Sequence, residues 1–145
     1  WIDELLRREV IFPHGYRTAV RDVELDGYTI PAGARVLVLY GSANRDPQRW
    51  TDPDRFWPER PDADQHLAFG IGVHQCLGQH LAHLELGAVL DRLCERGVAA
   101  VRVGESARWA PTAAVRGWDR LPVTLVTDRA SAAPAGDDAT GIPAT

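Results

Sequence analysis

The sequence predicts a mixed fold of helices and short, separate β-strands. Three observations predict it. Apolar residues recur at roughly 3.6-residue spacing through Leu77, Leu81, Leu84, Ala88 and Leu93, the pattern of a helix with one apolar face. Short apolar runs between Arg17 and Tyr40 are divided by Asp26-Gly27 and by Pro31-Ala32-Gly33, which is hairpin turn chemistry. Between these regions lie a proline-rich stretch and then a glycine-bearing loop.

Each element follows in order. Ile2, Leu5 and Leu6 share one face of the opening segment, Trp1 to Glu9, with charges opposite, so a helix is expected. Strands are expected at Thr18-Ala19-Val20, Val23-Glu24-Leu25, Tyr28-Thr29-Ile30 and from Arg35 to Tyr40. Residues Gly41 to Trp50 have room for one short helix. Pro53, Pro58 and Pro61 make Thr51 to Gln65 an irregular meander. The loop Phe69 to Gln75 leads into the long helix, with Gly97 as its C-terminal stop. Val98–Val103 and Leu121–Val126 read as strands, the second after a turn at Gly117-Trp118. Residues Thr127 to Thr145 are Ala, Gly, Asp, Ser and Pro with almost no large apolar side chain, so a disordered tail is expected.

Composition narrows the function classes. The 145 residues are 45% hydrophobic and 25% charged, enough for one core-forming domain. That excludes a collagen-like, disulfide-framework or wholly disordered chain. The longest apolar stretch, Val36 to Tyr40, is too short for a transmembrane helix. The acidic start, Trp1-Ile2-Asp3-Glu4, lacks the basic region of a secretory signal. A net charge of −4 argues against sequence-independent nucleic-acid binding. Cys76 and Cys94 are too few for a disulfide scaffold, so a reducing, cytoplasmic setting is expected. The chain has no methionine and opens inside a helical pattern, so it is expected to be the C-terminal piece of something longer. Every basic residue is arginine, which fits a high-GC bacterial coding bias.

The chemistry concentrates in Phe69-Gly70-Ile71-Gly72-Val73-His74-Gln75-Cys76-Leu77-Gly78. A single thiol follows a glycine-rich loop at the expected start of a helix, where N–H groups and the helix dipole favour a thiolate. Gly70, Gly72 and Gly78 are expected to take positive φ and let the backbone approach a flat ligand. Phe69 is placed to cover the sulfur from one side. Such a thiolate suits the axial position of a haem iron, where it pushes electron density onto the metal and favours O–O cleavage.

On these residues the sequence resembles the cytochrome P-450 haem-thiolate monooxygenases. FGxGxHxCxG matches the family's cysteine-loop pattern at every fixed position. Glu4-Leu5-Leu6-Arg7 is similar to its ExxR helix and Arg17-Thr18-Ala19 to the strand start after it. Phe56-Trp57-Pro58-Glu59-Arg60 is similar to the FxPER of its meander, His80-Leu81-Ala82 to the start of its last long helix, and Val115-Arg116-Gly117 with Leu121-Pro122-Val123 to its closing hairpin.

The resemblance implies the C-terminal part of a mostly helical P-450 fold over residues 1–126, with 127–145 as the tail. It implies haem b held by Cys76, with Arg17 and His74 on the propionates and Phe69, Gly70, Gly72 and Gly78 around the thiolate. It also implies a Glu4–Arg7–Arg60 triad. Glu4 and Arg7 at i,i+3 can pair, and on spacing alone a solvated surface pair is the commoner outcome.

Ile11-Phe12-Pro13-His14-Gly15 with Ala113, Ala114 and Val115 would line a substrate pocket. The intact protein would insert one oxygen atom of O2 into an organic substrate, with electrons from a ferredoxin-type donor and its reductase. The family's oxygen-activating helix precedes the ExxR helix, so no catalytic residue is expected in this chain and the piece alone is expected to be inactive. His83 stands where many relatives carry arginine. Cys94 and His66 read as packing residues.

One competing reading has a different chemistry. Cys76, His80 and His83 fall at i, i+4 and i+7, and with His74 they offer a ligand set for zinc in a small binding module. It explains neither the glycines nor Phe69, ExxR or FxPER.

Overall fold

A computed structural model describes residues 1–112 and 114–127. The expected tail from residue 128 and the pocket residue Ala113 lie outside the described residues. Helix α1 (Ile2–Arg8) opens the fold, with acidic Asp3 and Glu4 in its first turn and Arg7 and Arg8 in its last, each favourable to the helix dipole. Strand β1 (Gly15–Thr18) pairs antiparallel with β4 (Arg35–Val38), Arg17 facing Val36. Between them β2 (Val23–Leu25) and β3 (Tyr28–Ile30) form a hairpin. Its turn residues, Asp26 and Gly27, both take positive φ, as a two-residue hairpin loop requires.

Helix α2 (Tyr40–Ala43) is a single turn, and the meander after it holds a 3-10 turn at Ala63–Gln65. A second 3-10 turn, Gly72–His74, lies inside the cysteine loop. The long helix α3 (Gln79–Glu95) follows, and just beyond it Gly97 takes positive φ with its N–H on the Cys94 carbonyl. Strands β5 (Val98–Val103) and β8 (Val123–Thr127) pair antiparallel and enclose the small hairpin β6 (Arg108–Trp109) and β7 (Trp118–Arg120).

Several expectations need correction. The first strand starts at Gly15 rather than Thr18, because Arg17 and Tyr16 pair with the β4 residues Val36 and Leu37; Val20 is almost fully exposed. Strand β4 stops at Val38, and Tyr40 opens α2 instead of ending the strand. Trp118 lies in β7 rather than in a turn, packed edge-on against Trp109 at 4.8 Å. Thr127 is the last residue of β8, so the tail cannot begin there. Helix α3 begins at Gln79, leaving Cys76 and Leu77 ahead of it. Its leucine face is not buried: Leu81 is 58% and Leu84 69% exposed.

The core sits around α1 instead. Leu6, Val10, Trp50 and Ala63 are its buried apolar residues, and Glu4, Arg7, Asn44, Arg60 and His66 are buried with them. A core so rich in charge is held by pairing, because an unpaired buried charge is expensive.

Candidate haem-thiolate site

The expected triad forms. Glu4 accepts from Arg7 Nε at 2.7 Å and Nη2 at 3.0 Å, from Arg60 Nε at 3.0 Å and from the Trp57 N–H at 2.9 Å. Glu4 and Arg7 have no solvent exposure, so the surface-pair alternative does not hold. Burial works against ionising Glu4, but the Arg7 hydrogen bond, the Trp57 N–H and the two guanidinium charges outweigh it and hold its pKa at about 2. The arginines tie down the meander: Arg7 donates to the Pro53 carbonyl, and Arg60 to the carbonyls of Thr51 and Asp52.

The triad connects to the cysteine loop through Asn44, which sequence reading missed. Arg7 Nη1 donates to the Asn44 carbonyl at 2.6 Å, and Asn44 Oδ1 accepts the Leu67 N–H at 2.7 Å. Leu67 in turn accepts the Gly70 N–H at 3.0 Å, and Phe69 accepts the Cys76 N–H at 2.9 Å. The loop between them turns at Gly70 and Gly72, φ +68° and +76°, where a side chain would be strained. Gly78 differs from expectation: its φ is −85°, and it caps α3. The thiol therefore lies two positions before the cap, with Sγ 3.9 Å from where a Gly78 Cβ would stand. The sulfur therefore lies beside the N-terminal cap of α3.

Cys76 is exposed and opens into a cavity of about 470 Å³. Ile11, Phe12, Arg17, Phe69, Gly70 and His74 line it with Cys76. Leu6, Tyr40, Ala68 and Ala82 line it as well and were not foreseen. Tyr40 is the most informative of these. Arg17 Nη2 donates to its hydroxyl at 3.2 Å, and Nη1 to the Tyr16 carbonyl at 2.8 Å. A Cβ at Gly15 would stand 2.9 Å from the Tyr40 hydroxyl, so only glycine admits the ring there. No local signal marked Tyr40, which lies in α2 beyond the strand residue, Val38, that faces Gly15.

Gly72 and Gly78 do not line this cavity, nor do Ala114 and Val115. The segment of Ala114 and Val115 nonetheless meets that of Ile11 and Phe12, through the Arg116 N–H on the Ile11 carbonyl at 2.7 Å.

The zinc arrangement fails on geometry. Cys76 precedes α3, so helical spacing does not bring it to His80 and His83. His74 and Cys76 line one cavity, whereas His80 and His83 line another. Among the described residues no cluster of three His, Cys, Asp or Glu could hold a metal ion.

His66 and His83 have work beyond packing. His83 Nε2 lies 2.8 Å from Asp3 Oδ1, and its Nδ1 lies 2.9 Å from the Gln79 carbonyl. Both partners are acceptors, so the doubly protonated ring satisfies both, and the Asp3 bond raises the His83 pKa. His66 is buried; its Nδ1 accepts the Ala68 N–H and its Nε2 lies 3.7 Å from the same Asp3 oxygen. Burial lowers its pKa.

The donor set suits a flat, apolar, dianionic ligand carrying a thiophilic metal. It offers an exposed thiol, an apolar wall, and a guanidinium and an imidazole on the same cavity.

Comparison with known proteins agrees. The cytochrome P450 family model matches residues 1–96. The chain is 44% identical over 123 residues to cytochrome P450 CYP199A2 of Rhodopseudomonas palustris, covering 85% of this chain and 29% of that protein. It is 43% identical over 127 residues to the vitamin D3 dihydroxylase of Streptomyces griseolus, covering 85% and 31%. Among solved structures it superposes on cytochrome P450-153 from Novosphingobium aromaticivorans with a TM-score of 0.81 at 38% identity, covering 86% of this chain and 31% of that one. The chain thus spans less than a third of the length of these relatives.

Proposed function

The chain belongs to the cytochrome P450 family, whose members bind haem through a cysteine thiolate, and from that premise we propose that Cys76 is the thiolate ligand of haem b in a monooxygenase. Arg17 and His74 hold the propionates, Arg17 with its planar fork braced on Tyr40. Phe69 walls the thiolate, and Gly70 and Gly72 shape the loop that carries it. Ile11 and Phe12 line the substrate side, with the segment of Ala113, Ala114 and Val115 beside them. When bound, haem supplies O2 activation, which places one oxygen atom in an organic substrate and releases the other as water. The chain's own residues bind and orient the cofactor.

A single observation supports this most: Cys76, His74, Arg17, Phe69 and Gly70, scattered over two segments, line one cavity. Electrons come from a ferredoxin-type donor with its reductase, in the cytoplasm of a bacterium. No helix among the described residues is long and apolar enough to cross a membrane. One relative of known structure, P450BioI, was solved with a ligated acyl carrier protein, at a TM-score of 0.79 and 37% identity. The substrate of the present protein is a small organic molecule.

The test is the ferrous–CO spectrum of the haem-loaded protein. The red-shifted Soret band of thiolate ligation is expected, and Cys76→Ser abolishes it, because a hydroxyl stays protonated and binds iron poorly. A band that survives the substitution would assign the ligand to Cys94 or another group.

A further inference from the structure

Phe69 is a wall shared by two cavities. One is the thiol cavity; the other is a polar hollow of about 290 Å³ lined by Asp3, Asp64, His66, His80 and His83 with Gln75 and Gln79. The ring is packed from the hollow side by two imidazoles. His66 lies 5.6 Å and His83 5.4 Å from it, centroid to centroid, both tilted. Both imidazoles answer to one carboxylate oxygen, Asp3 Oδ1, at 3.7 and 2.8 Å.

We propose that Asp3 and His83 are positioning residues for Phe69, and that through this ring they set the electrostatic environment of the Cys76 thiolate. The inference rests on Cys76 as the haem ligand. Asp3 is on α1 and His83 on α3, so their bond ties α1 to the helix whose imidazole packs on the ring. The protonated imidazole bonds Asp3 and the Gln79 carbonyl together; the neutral ring can donate to only one of them. Loss of the proton therefore releases one contact and removes a positive charge from behind the Phe69 ring. A positive charge there favours the reduced, more negative state of a thiolate-bound iron. The other titratable groups on the hollow are Asp64 and His66 from the end of the meander and His80 from α3 itself.

The test is the reduction potential of the haem-loaded protein as a function of pH, in the unsubstituted protein, His83→Gln, His83→Arg, Asp3→Asn and Phe69→Leu. The unsubstituted protein is expected to show an inflection above the ordinary imidazole range, with the higher potential on the acid side. His83→Gln loses that inflection, and Asp3→Asn moves it to lower pH. His83→Arg also loses it but stays at the higher, acid-side potential, a rescue that a merely structural role does not give. Phe69→Leu keeps the inflection with reduced amplitude. Haem content and the thiolate Soret band report folding in each variant.

An inflection unchanged in His83→Gln overturns the role of His83, and an amplitude unchanged in Phe69→Leu overturns action through the ring. Absence of the thiolate band from the unsubstituted protein is a different failure. It overturns the haem-thiolate reading, and this inference with it.

Discussion

Arg7 donates to the main-chain carbonyl of Asn44 at 2.6 Å, and that one bond joins the buried ion cluster of α1 to the segment carrying the thiol. Asn44 has no solvent exposure, and its amide oxygen holds the Leu67 N–H just ahead of the cysteine loop. Among the described residues its buried amide nitrogen has no partner, so the bond made by the side chain is the one its oxygen accepts. Asn44→Ala strands the Leu67 N–H, at an expected cost of about 1–3 kcal/mol. Denaturant unfolding measures the loss, and amide exchange at Leu67 and Gly70 localises it. Unchanged exchange at Leu67 would mean the bond holds nothing in place.

Among the described residues, Glu4 is the sole carboxylate bonded by the Arg7 and Arg60 guanidinium groups. Glu4→Gln keeps the shape of the side chain but leaves two buried cations without a counter-charge. Breaking a buried pair in this way costs roughly 3–5 kcal/mol, a large share of a typical domain's stability. The carbonyls of Thr51 and Asp52 lose their anchor in Arg60→Met, so the meander loosens as well. The double variant should cost much less than the sum, since both substitutions remove the same contact. Additive losses in equilibrium unfolding would show that the two residues act independently.

Tyr40 makes Arg17 a fixed rather than a swinging cation. Tyr40→Phe removes the hydroxyl that accepts from Arg17 at 3.2 Å but keeps the ring on the cavity wall. A single exposed hydrogen bond is worth about 0.5–1.5 kcal/mol, so haem should dissociate a few-fold faster. Arg17→Ala should have the larger effect, because it removes the charge itself. Gly15→Ala should resemble the more severe variant, since its methyl would displace the Tyr40 ring. Haem transfer to an apo-acceptor protein gives the rates. Equal rates for Tyr40→Phe and Arg17→Ala would place the propionate contact on the tyrosine.

Residue type and short-range spacing carried most of the fold. The Asp26-Gly27 hairpin, the glycine loop and the ExxR pair are local, and each appears where its spacing puts it. Long-range pairing was not legible. The register of β1 depends on β4, nearly twenty residues on, so the strand start slipped to Thr18. Strands β6 and β7 have no alternating pattern and rest on an aromatic pair that only the folded chain brings together.

The site divided in the same way. Cys76, His74 and Phe69 belong to one motif, whereas Asn44 and Tyr40 are ordinary residues made functional by what they touch. The exposed leucines of α3 show the converse: their helical period was readable, but whether a face is buried depends on what packs against it.

Stability should depend on pH through three groups, and the signs can be worked out. Glu4 has a folded pKa of about 2, below its ordinary value of 4.5, so its contribution is complete above 4.5 and is lost as pH falls towards 2. His83 is raised by its bond to Asp3, so its contribution is complete below 6.5 and is lost as pH climbs through the folded pKa. His66 is lowered by burial, so the unfolded chain binds its proton more readily, and stability falls as pH drops below 6.5.

The two histidines thus oppose each other on either side of 6.5, and one carboxylate serves both. His83→Gln should remove the alkaline loss and leave the His66 slope on the acid side. Asp3→Asn should go further: it removes the attraction that favours the His66 proton, so acidification from 6.5 becomes more costly than in His83→Gln. Urea unfolding at intervals from pH 5 to 8 separates the cases. Curves for His83→Gln that run parallel to those of the unsubstituted protein would show that the Asp3–His83 bond carries no proton-linked stability.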